Sequence, residues 1–231
     1  MQSSQAAAFS PATDGFAFIN SWPSEPAELI PTPLGNIGIG NADDGLCGGM
    51  VFAALDYWQA GKPPPADQPA AGTPLYQFLV QRLISSWHIP AGVAEYYQWM
   101  NLPDADSSLT ILRRSVITEH GLSWRTIEQQ WPVVKASLDA GIPAPLGLVT
   151  VASADPGELG HNHQVLACSY QLAGAEVTVG VYDPNSGQDD GVHIRFDTSD
   201  PAAATTFQHN INIGFPVRGF FLTAYSPVTP P

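Results

Sequence analysis

The stretch Gly45-Leu46-Cys47-Gly48-Gly49, running on into Met50-Val51-Phe52-Ala53-Ala54-Leu55-Asp56-Tyr57-Trp58, constrains this chain more than any other. From Met50 to Trp58 the only charged residue is Asp56. A helix with almost no polar face belongs in the middle of a domain, because it has apolar surface to bury on nearly every side. A chain of 231 residues, 44% hydrophobic and carrying 6 Trp, 7 Tyr and 10 Phe, is long enough to build a core around it. Cys47 falls in the first turn. There, unpaired backbone N–H groups and the positive end of the helix dipole favour a thiolate.

Charge narrows the partners. A formal net charge of −13, with only 8 Lys and Arg residues, argues against nucleic acid, which needs a basic face, and against an anionic membrane surface. The chain has no run of apolar residues long enough to span a bilayer, so no membrane insertion is expected. Met1-Gln2-Ser3-Ser4-Gln5 lacks a basic region followed by an apolar one, so no signal peptide is visible. The expectation is a soluble protein, cytoplasmic or exported by another route. Two cysteines make no disulfide framework, which leans towards reducing surroundings.

The chain order predicts helices first and a sheet afterwards. Residues 1–13 read as frayed, Gly15 to Asn20 as a first strand, and 31–46 as an extended, glycine-rich approach to the cysteine helix with Asp44 as its N-cap. The proline-rich 61–74 stretch excludes regular structure. Helices are expected over roughly 75–87, 91–101 and 107–120. A fourth begins at Ser123, carries Trp124, Ile127, Trp131, Val134 and Leu138 on one stripe, is broken or kinked at Pro132, and ends at Gly141. Strands follow at 145–151, 163–170, 177–182, 192–196, 207–213 and 218–225. This is an α+β plan: a helical half over about 1–141, an antiparallel sheet half over about 142–231, and a cleft between them.

A hairpin turning near Gly174 places His163 opposite Asn185, one or two residues from Asp183. Side chains alternate along a strand, so Cys168 points away from His163, and mid-strand among Val, Leu and Ala it reads as core. A histidine and a carboxylate at the open end of one hairpin suit a base and its orienter. His161, in Gly160-His161-Asn162-His163, competes for the base's role. Asn185 competes for the orienter's, since Asp183-Pro184-Asn185-Ser186-Gly187 also reads as a turn.

The order Cys, His, Asp, carried by Leu46-Cys47-Gly48-Gly49, His163-Gln164-Val165-Leu166 and Tyr182-Asp183-Pro184-Asn185, resembles the papain-like cysteine peptidase superfamily. Within it the pattern is most similar to the bacterial double-glycine-leader peptidase domains of bacteriocin exporters. The resemblance implies a single papain-like domain over 1–231 that cleaves the amide bond of a peptide or protein substrate. In it Cys47 would be the nucleophile, His163 the base and Asp183 the orienter. It also implies an oxyanion amide a few residues before the cysteine. Here Asn41 stands where that superfamily has Gln. Asp43-Asp44 is a second departure, since carboxylates beside a thiol oppose its ionisation unless they turn away as caps.

Zinc on Cys47, His161, His163 and Cys168 fits no structural zinc spacing. Asp183, Asn185, Gly187, Asp189 and Asp190 resemble a degenerate calcium loop, but without EF-hand spacing or a distal Glu. No metal or cofactor is expected, with calcium near Asp183, Asn185 and Asp189 the remaining alternative. Two other functions stay open: acyl transfer to an amine through the same trio, as in transglutaminases, and a non-catalytic binding module of this fold.

Overall fold

The computed structural model describes residues 2–5, 9–22, 28–32, 35–39, 45–88, 91–111 and 114–231. Strand β1 (Gln2–Gln5) precedes the one-turn helix α1 (Pro11–Asp14), the hairpin β2 (Glu28–Thr32) and β3 (Gly35–Ile39), and helices α2 (Cys47–Gln59), α3 (Pro74–Ser86) and α4 (Ala91–Met100). A second hairpin, β4 (Ser107–Ile111) and β5 (Arg114–Glu119), leads to α5 (Leu122–Trp124), a π-helical stretch Arg125–Gln130 and α6 (Trp131–Asp139). Then come β6 (Ala144–Val149), a 3-10 turn Pro156–His161, β7 (His163–Ala173), β8 (Glu176–Tyr182), β9 (His193–Asp197), β10 (Gln208–His209) and β11 (Gly219–Leu222). The result is a mixed α+β architecture around a curled antiparallel sheet of order β10-β9-β8-β7-β6-β11. Among the described residues no helix is long and apolar enough to cross a membrane.

Strand β7 is the spine of the sheet. Its first half pairs with β6, from Leu148 opposite His163 to Ala144 opposite Ala167, and its second half pairs with β1. Its other edge pairs with β8, and Gly174 turns between them at φ +66. A bulge between Ala167 and Ser169 shifts the register by one, so Leu166 meets Tyr182 at the end where the site lies. The bulge also exchanges faces. Val165 and Ala167 face a core shared with Ile127, Trp131, Val134 and Leu138, and after the bulge Tyr170 returns to that same core. Leu166 and Cys168 face the opposite core, which is built on Met50, Phe52, Leu55, Leu79 and Leu83. The sheet is thus packed by α2 and α3 on one face and by the 122–139 helical run on the other.

Helix α2 is buried from Gly48 to Tyr57. It can lie so close to α3 because Gly48 and Gly49 in its first turn carry no side chain. A Cβ on Gly49 would fall inside the Leu79 carbonyl oxygen, and one on Gly48 would collide with Ser86 Oγ and Gln164. Gly49→Ala is therefore expected to destabilise the fold by about 1–3 kcal/mol, since a backbone carbonyl has little room to yield. A lowered urea midpoint at unchanged slope would register this. Asp56, the helix's one charge, is also buried. Its Oδ2 lies 2.6 Å from Arg82 Nε, and its Oδ1 accepts from Tyr225 Oη at 2.7 Å and Val228 N at 2.9 Å. Burial still pushes the Asp56 carboxyl above its ordinary value, partly offset by those bonds and by Arg82. The residue clips the 225–228 stretch onto α2 and α3.

Several sequence expectations are corrected. Where a helix was expected over 107–120, Ser107–Ile111 and Arg114–Glu119 pair as the antiparallel strands β4 and β5. The run Leu109-Thr110-Ile111 and Val116-Ile117-Thr118 is rich in β-branched residues, whose preference outweighed a fortuitous helical spacing. Gly15 to Asn20 is no strand: Phe16 and Phe18 are core residues on irregular backbone. Of the supposedly frayed terminus, Gln2–Gln5 pairs with β7 and Pro11–Asp14 is helical. The 31–46 approach contains part of the β2–β3 hairpin. The N-cap of α2 is Leu46, not Asp44, and Asp44 itself lies outside the described residues. The 207–213 strand reduces to Gln208–His209. The break expected at Pro132 takes the form of a widened turn, in which Trp131 N bonds back to Thr126 O. Proline has no N–H to continue the α-helical ladder, and the π turn absorbs that loss.

Candidate functional site

His163 opens β7, and Asp183 directly follows β8. Because Leu166 pairs with Tyr182, the two strand ends lie side by side. His163 Nε2 sits 2.9 Å from Asp183 Oδ1. Both residues are buried, His163 to 6% exposure and Asp183 to 0%. The turn predicted at 183–187 is present, with Ser186 N bonding Asp183 O at 3.0 Å and Gly187 at φ +66. Its first backbone N–H, that of Asn185, donates to Asp183 Oδ1 at 2.8 Å. Turn residue and orienter are therefore one device: the turn aims the carboxylate at the ring.

Cys47, half-buried at the start of α2, acts electrostatically on the same imidazole and lines the same cavity. With Nε2 held by Asp183, Nδ1 is the nitrogen left for the thiol. Burial works against a charge on His163. The Asp183 charge and hydrogen bond, with Cys47 adding to them, overcome it and raise the ring from 6.5 to about 10. Burial likewise opposes the Asp183 anion. The His163 charge, with hydrogen bonds from His163, His209 and the Asn185 N–H, holds the carboxyl well below its usual range. The pair is an imidazolium–carboxylate ion pair across neutral pH.

The trio opens onto a cavity of about 490 Å³ that Cys47 and His163 line. Leu83, Trp87, Val93 and Phe215 give it apolar walls, and no Asp, Glu, Lys or Arg is among the described residues lining it. Residues 61–74 do not contribute to the wall. Trp87, partly buried and packed against the core, also lines this space.

Beneath the thiol, Gln164 Nε2 donates to Ser86 Oγ at 3.2 Å, and Ser86 Oγ donates to Leu83 O at 2.8 Å. Tyr96 Oη donates to His163 O at 3.4 Å. Burial, with the charges of Cys47 and Glu95 adding to it, pushes the Tyr96 phenol well above its ordinary value. Tyr96 is a neutral donor that pins the backbone of the histidine.

The remaining predicted residues fall into place around this centre. Cys168 lies on the other core, its Sγ donating to Gly180 O at 3.3 Å, and burial pushes its thiol up to about 12. His161 lines the cavity but pairs with Glu158 Oε2 at 2.7 Å and not with Asp183. Asn185 donates its backbone N–H to Asp183, and its side-chain Oδ1 accepts from Asn20 Nδ2 at 3.1 Å. Asp189 Oδ1 caps Gly191 N, while Asp190 holds Ser10 Oγ and Ala12 N. Neither carboxylate shares a partner with Asp183. Asn41 and Asp43 lie outside the described residues.

Two site residues were not foreseen. Asn20 lines the cavity, accepts from Leu46 N at 2.8 Å and Trp22 Nε1 at 3.1 Å, and so fixes the residue just before Cys47. After its bond to Asn185 its amide keeps one further N–H among the described residues. His209 holds the second oxygen of Asp183, with Nε2 2.9 Å from Oδ2. Neither residue had a sequence signal, since each reaches the site from a segment read as an ordinary strand. Comparison of the chain with protein-family models, with curated proteins and with solved structures returns no match.

Proposed function

We propose that this chain is a papain-like cysteine peptidase, or a related thiol amidohydrolase, acting on a peptide or protein substrate. One observation carries the reading: a buried imidazole is held by a fully buried carboxylate and shares, with a thiol at a helix start, a cavity whose described lining holds no Asp, Glu, Lys or Arg. In this reading the Cys47 proton already resides on His163 as the imidazolium, and the Sγ thiolate attacks the scissile carbonyl carbon. The oxyanion forms beside the first-turn backbone N–H of Cys47 and the spare N–H of Asn20, one of the side-chain amides lining the cavity. The imidazolium then gives its proton to the departing amine as the C–N bond breaks. Water, deprotonated by the same ring, cleaves the thioester and restores the thiolate and imidazolium. Asp183 keeps one nitrogen of the ring engaged and stabilises its charge throughout.

Iodoacetamide on the folded protein, followed by peptide mapping, tests this directly. Carbamidomethylation is expected at Cys47 and not at Cys168. In parallel, incubation with a mixed peptide pool in 18O water should yield new carboxyl termini carrying the label, and none with Cys47→Ser. Equal modification of both thiols, or an unmodified Cys47, would overturn the reading and leave a binding module of the same fold. Adducts on an added amine, in place of labelled acids, would redirect it to acyl transfer.

A further inference from the structure

Asp183 has two carboxylate oxygens, and only Oδ1 serves His163. Its Oδ2 is 2.9 Å from His209 Nε2, on a ring whose side chain is 3% exposed. The other nitrogen of that ring, Nδ1, accepts the backbone N–H of Ile211 at 3.2 Å. A ring nitrogen that accepts a backbone N–H carries no proton. The His209 proton therefore sits on Nε2 and points at Asp183. Both ring nitrogens of His209 are thus engaged, Nε2 as donor to Asp183 and Nδ1 as acceptor from the Ile211 N–H. What it supplies is a donor to an oxygen that burial would otherwise leave unsatisfied.

The segment after this ring matters as much as the ring. Ile213, Gly214 and Phe215, a few residues on, form one wall of the cavity beside Cys47. Gly214 has φ +90, a conformation that glycine adopts without strain. The Ile211 N–H that fixes the His209 tautomer belongs to the same segment. The cavity wall, the His209 ring, the Asp183 carboxylate and the His163 ring thus form one unbroken chain of contacts.

We propose that His209 is a positioning residue: as an Nε2–H donor it locks the Asp183 carboxylate and ties it to the 211–215 wall of the cavity. The proposal rests on the reading of Cys47 as a nucleophile activated by His163. With both oxygens engaged the carboxylate cannot rotate, so His163 keeps its orientation and its charge, and the imidazolium sustains the thiolate. The titratable groups facing this cluster are Cys47 and Asp183 on His163, Tyr182 near Asp183, and Tyr96 near Cys47.

The test uses the full chain as wild type, His209→Gln, His209→Asn and His209→Phe, and reads the rate of Cys47 carbamidomethylation across pH 4–10. Gln carries an amide N–H at about the position of the ring's Nε2 and should retain the wild-type profile. Asn is too short to reach Oδ2, and Phe has no donor. Both are expected to slow the reaction about tenfold and to move its acid limb to higher pH. A wild-type profile in Asn and Phe would overturn the proposal, as would equal damage in all three variants. If Phe fails to fold, the contrast between Gln and Asn decides. The 15N shifts of the wild-type His209 ring, recorded without reagent, separate the two readings. A ring that carries its proton on Nδ1 overturns the His209 proposal even if Cys47 reacts. A fixed Nε2–H ring with an unreactive Cys47 upholds the clamp and overturns the nucleophile.

Discussion

His163→Ala is expected to reduce amide cleavage by about 10⁴-fold or more in kcat/KM and to remove the preferential alkylation of Cys47 at neutral pH. The size follows from how many tasks pass through this one ring. It holds the proton given up by the thiol, delivers a proton to the departing amine and activates the water, and the residues of such a unit fail together, not additively. The fold should tolerate the change better than the chemistry, because the backbone of His163 stays pinned by β6 and by Tyr96. The wild-type pH profile carries the same signature. With the ring raised to about 10, the imidazolium needed for leaving-group protonation persists through neutrality. Cleavage should therefore hold across neutral pH and fall as pH rises through about 10. A limb near the ordinary histidine value of 6.5 would mean that Asp183 does not hold the ring as described. Stopped assays of peptide cleavage from pH 5 to 11 measure this limb.

How far the sequence revealed this site depended on whether the signal was local. Helix α2 and its cysteine were legible because an apolar run after paired glycines has few ways to be satisfied. The hairpin was legible because Gly174 turns it, and the bulge at Cys168 happens to correct the register just before Leu166 meets Tyr182. Asp183 was ambiguous between turn and orienter, since no sequence pattern says that one residue serves as both. The β4–β5 hairpin was misread because apolar positions spaced for a helix also suit a two-stranded ribbon. His209 and Asn20 were out of reach altogether. His209 contacts a carboxylate 26 residues earlier in the chain, and Asn20 fixes a backbone N–H 26 residues later. Only the closed fold brings those segments together. The proposed chemistry is written in short motifs; its geometry is set by long-range contacts.

Asp183→Ala should be the most damaging single change to stability, at about 3–5 kcal/mol near pH 5.5, because removing one partner of a buried ion pair leaves the other charge without compensation. Here two histidines lose their partner at once, and Asn185 N loses its acceptor. The cost should depend on pH in a definite direction. His163 has a folded value of about 10 against an ordinary value of 6.5. Its share of the stabilisation is thus complete below about 6.5 and is lost as pH rises through about 10. Asp183 is depressed, so its share is present above the ordinary carboxylate value near 4 and is lost as pH falls through its lower folded value. The gap between wild type and Asp183→Ala should therefore be widest between about pH 4 and 6.5 and narrow towards pH 10. Urea unfolding at pH 5.5, 7.5 and 10 reads it. Asp183→Asn refines the argument. An amide keeps the volume of the carboxylate, but its oxygen can accept from only one of the two rings while its NH₂ faces the other as donor against donor. If the anion matters more than the shape, Asn should lose most of the activity that Ala loses and recover only part of the stability. A gap that stays constant with pH would mean that packing alone accounts for the loss, and that the charge on Asp183 contributes nothing to holding His163 in place.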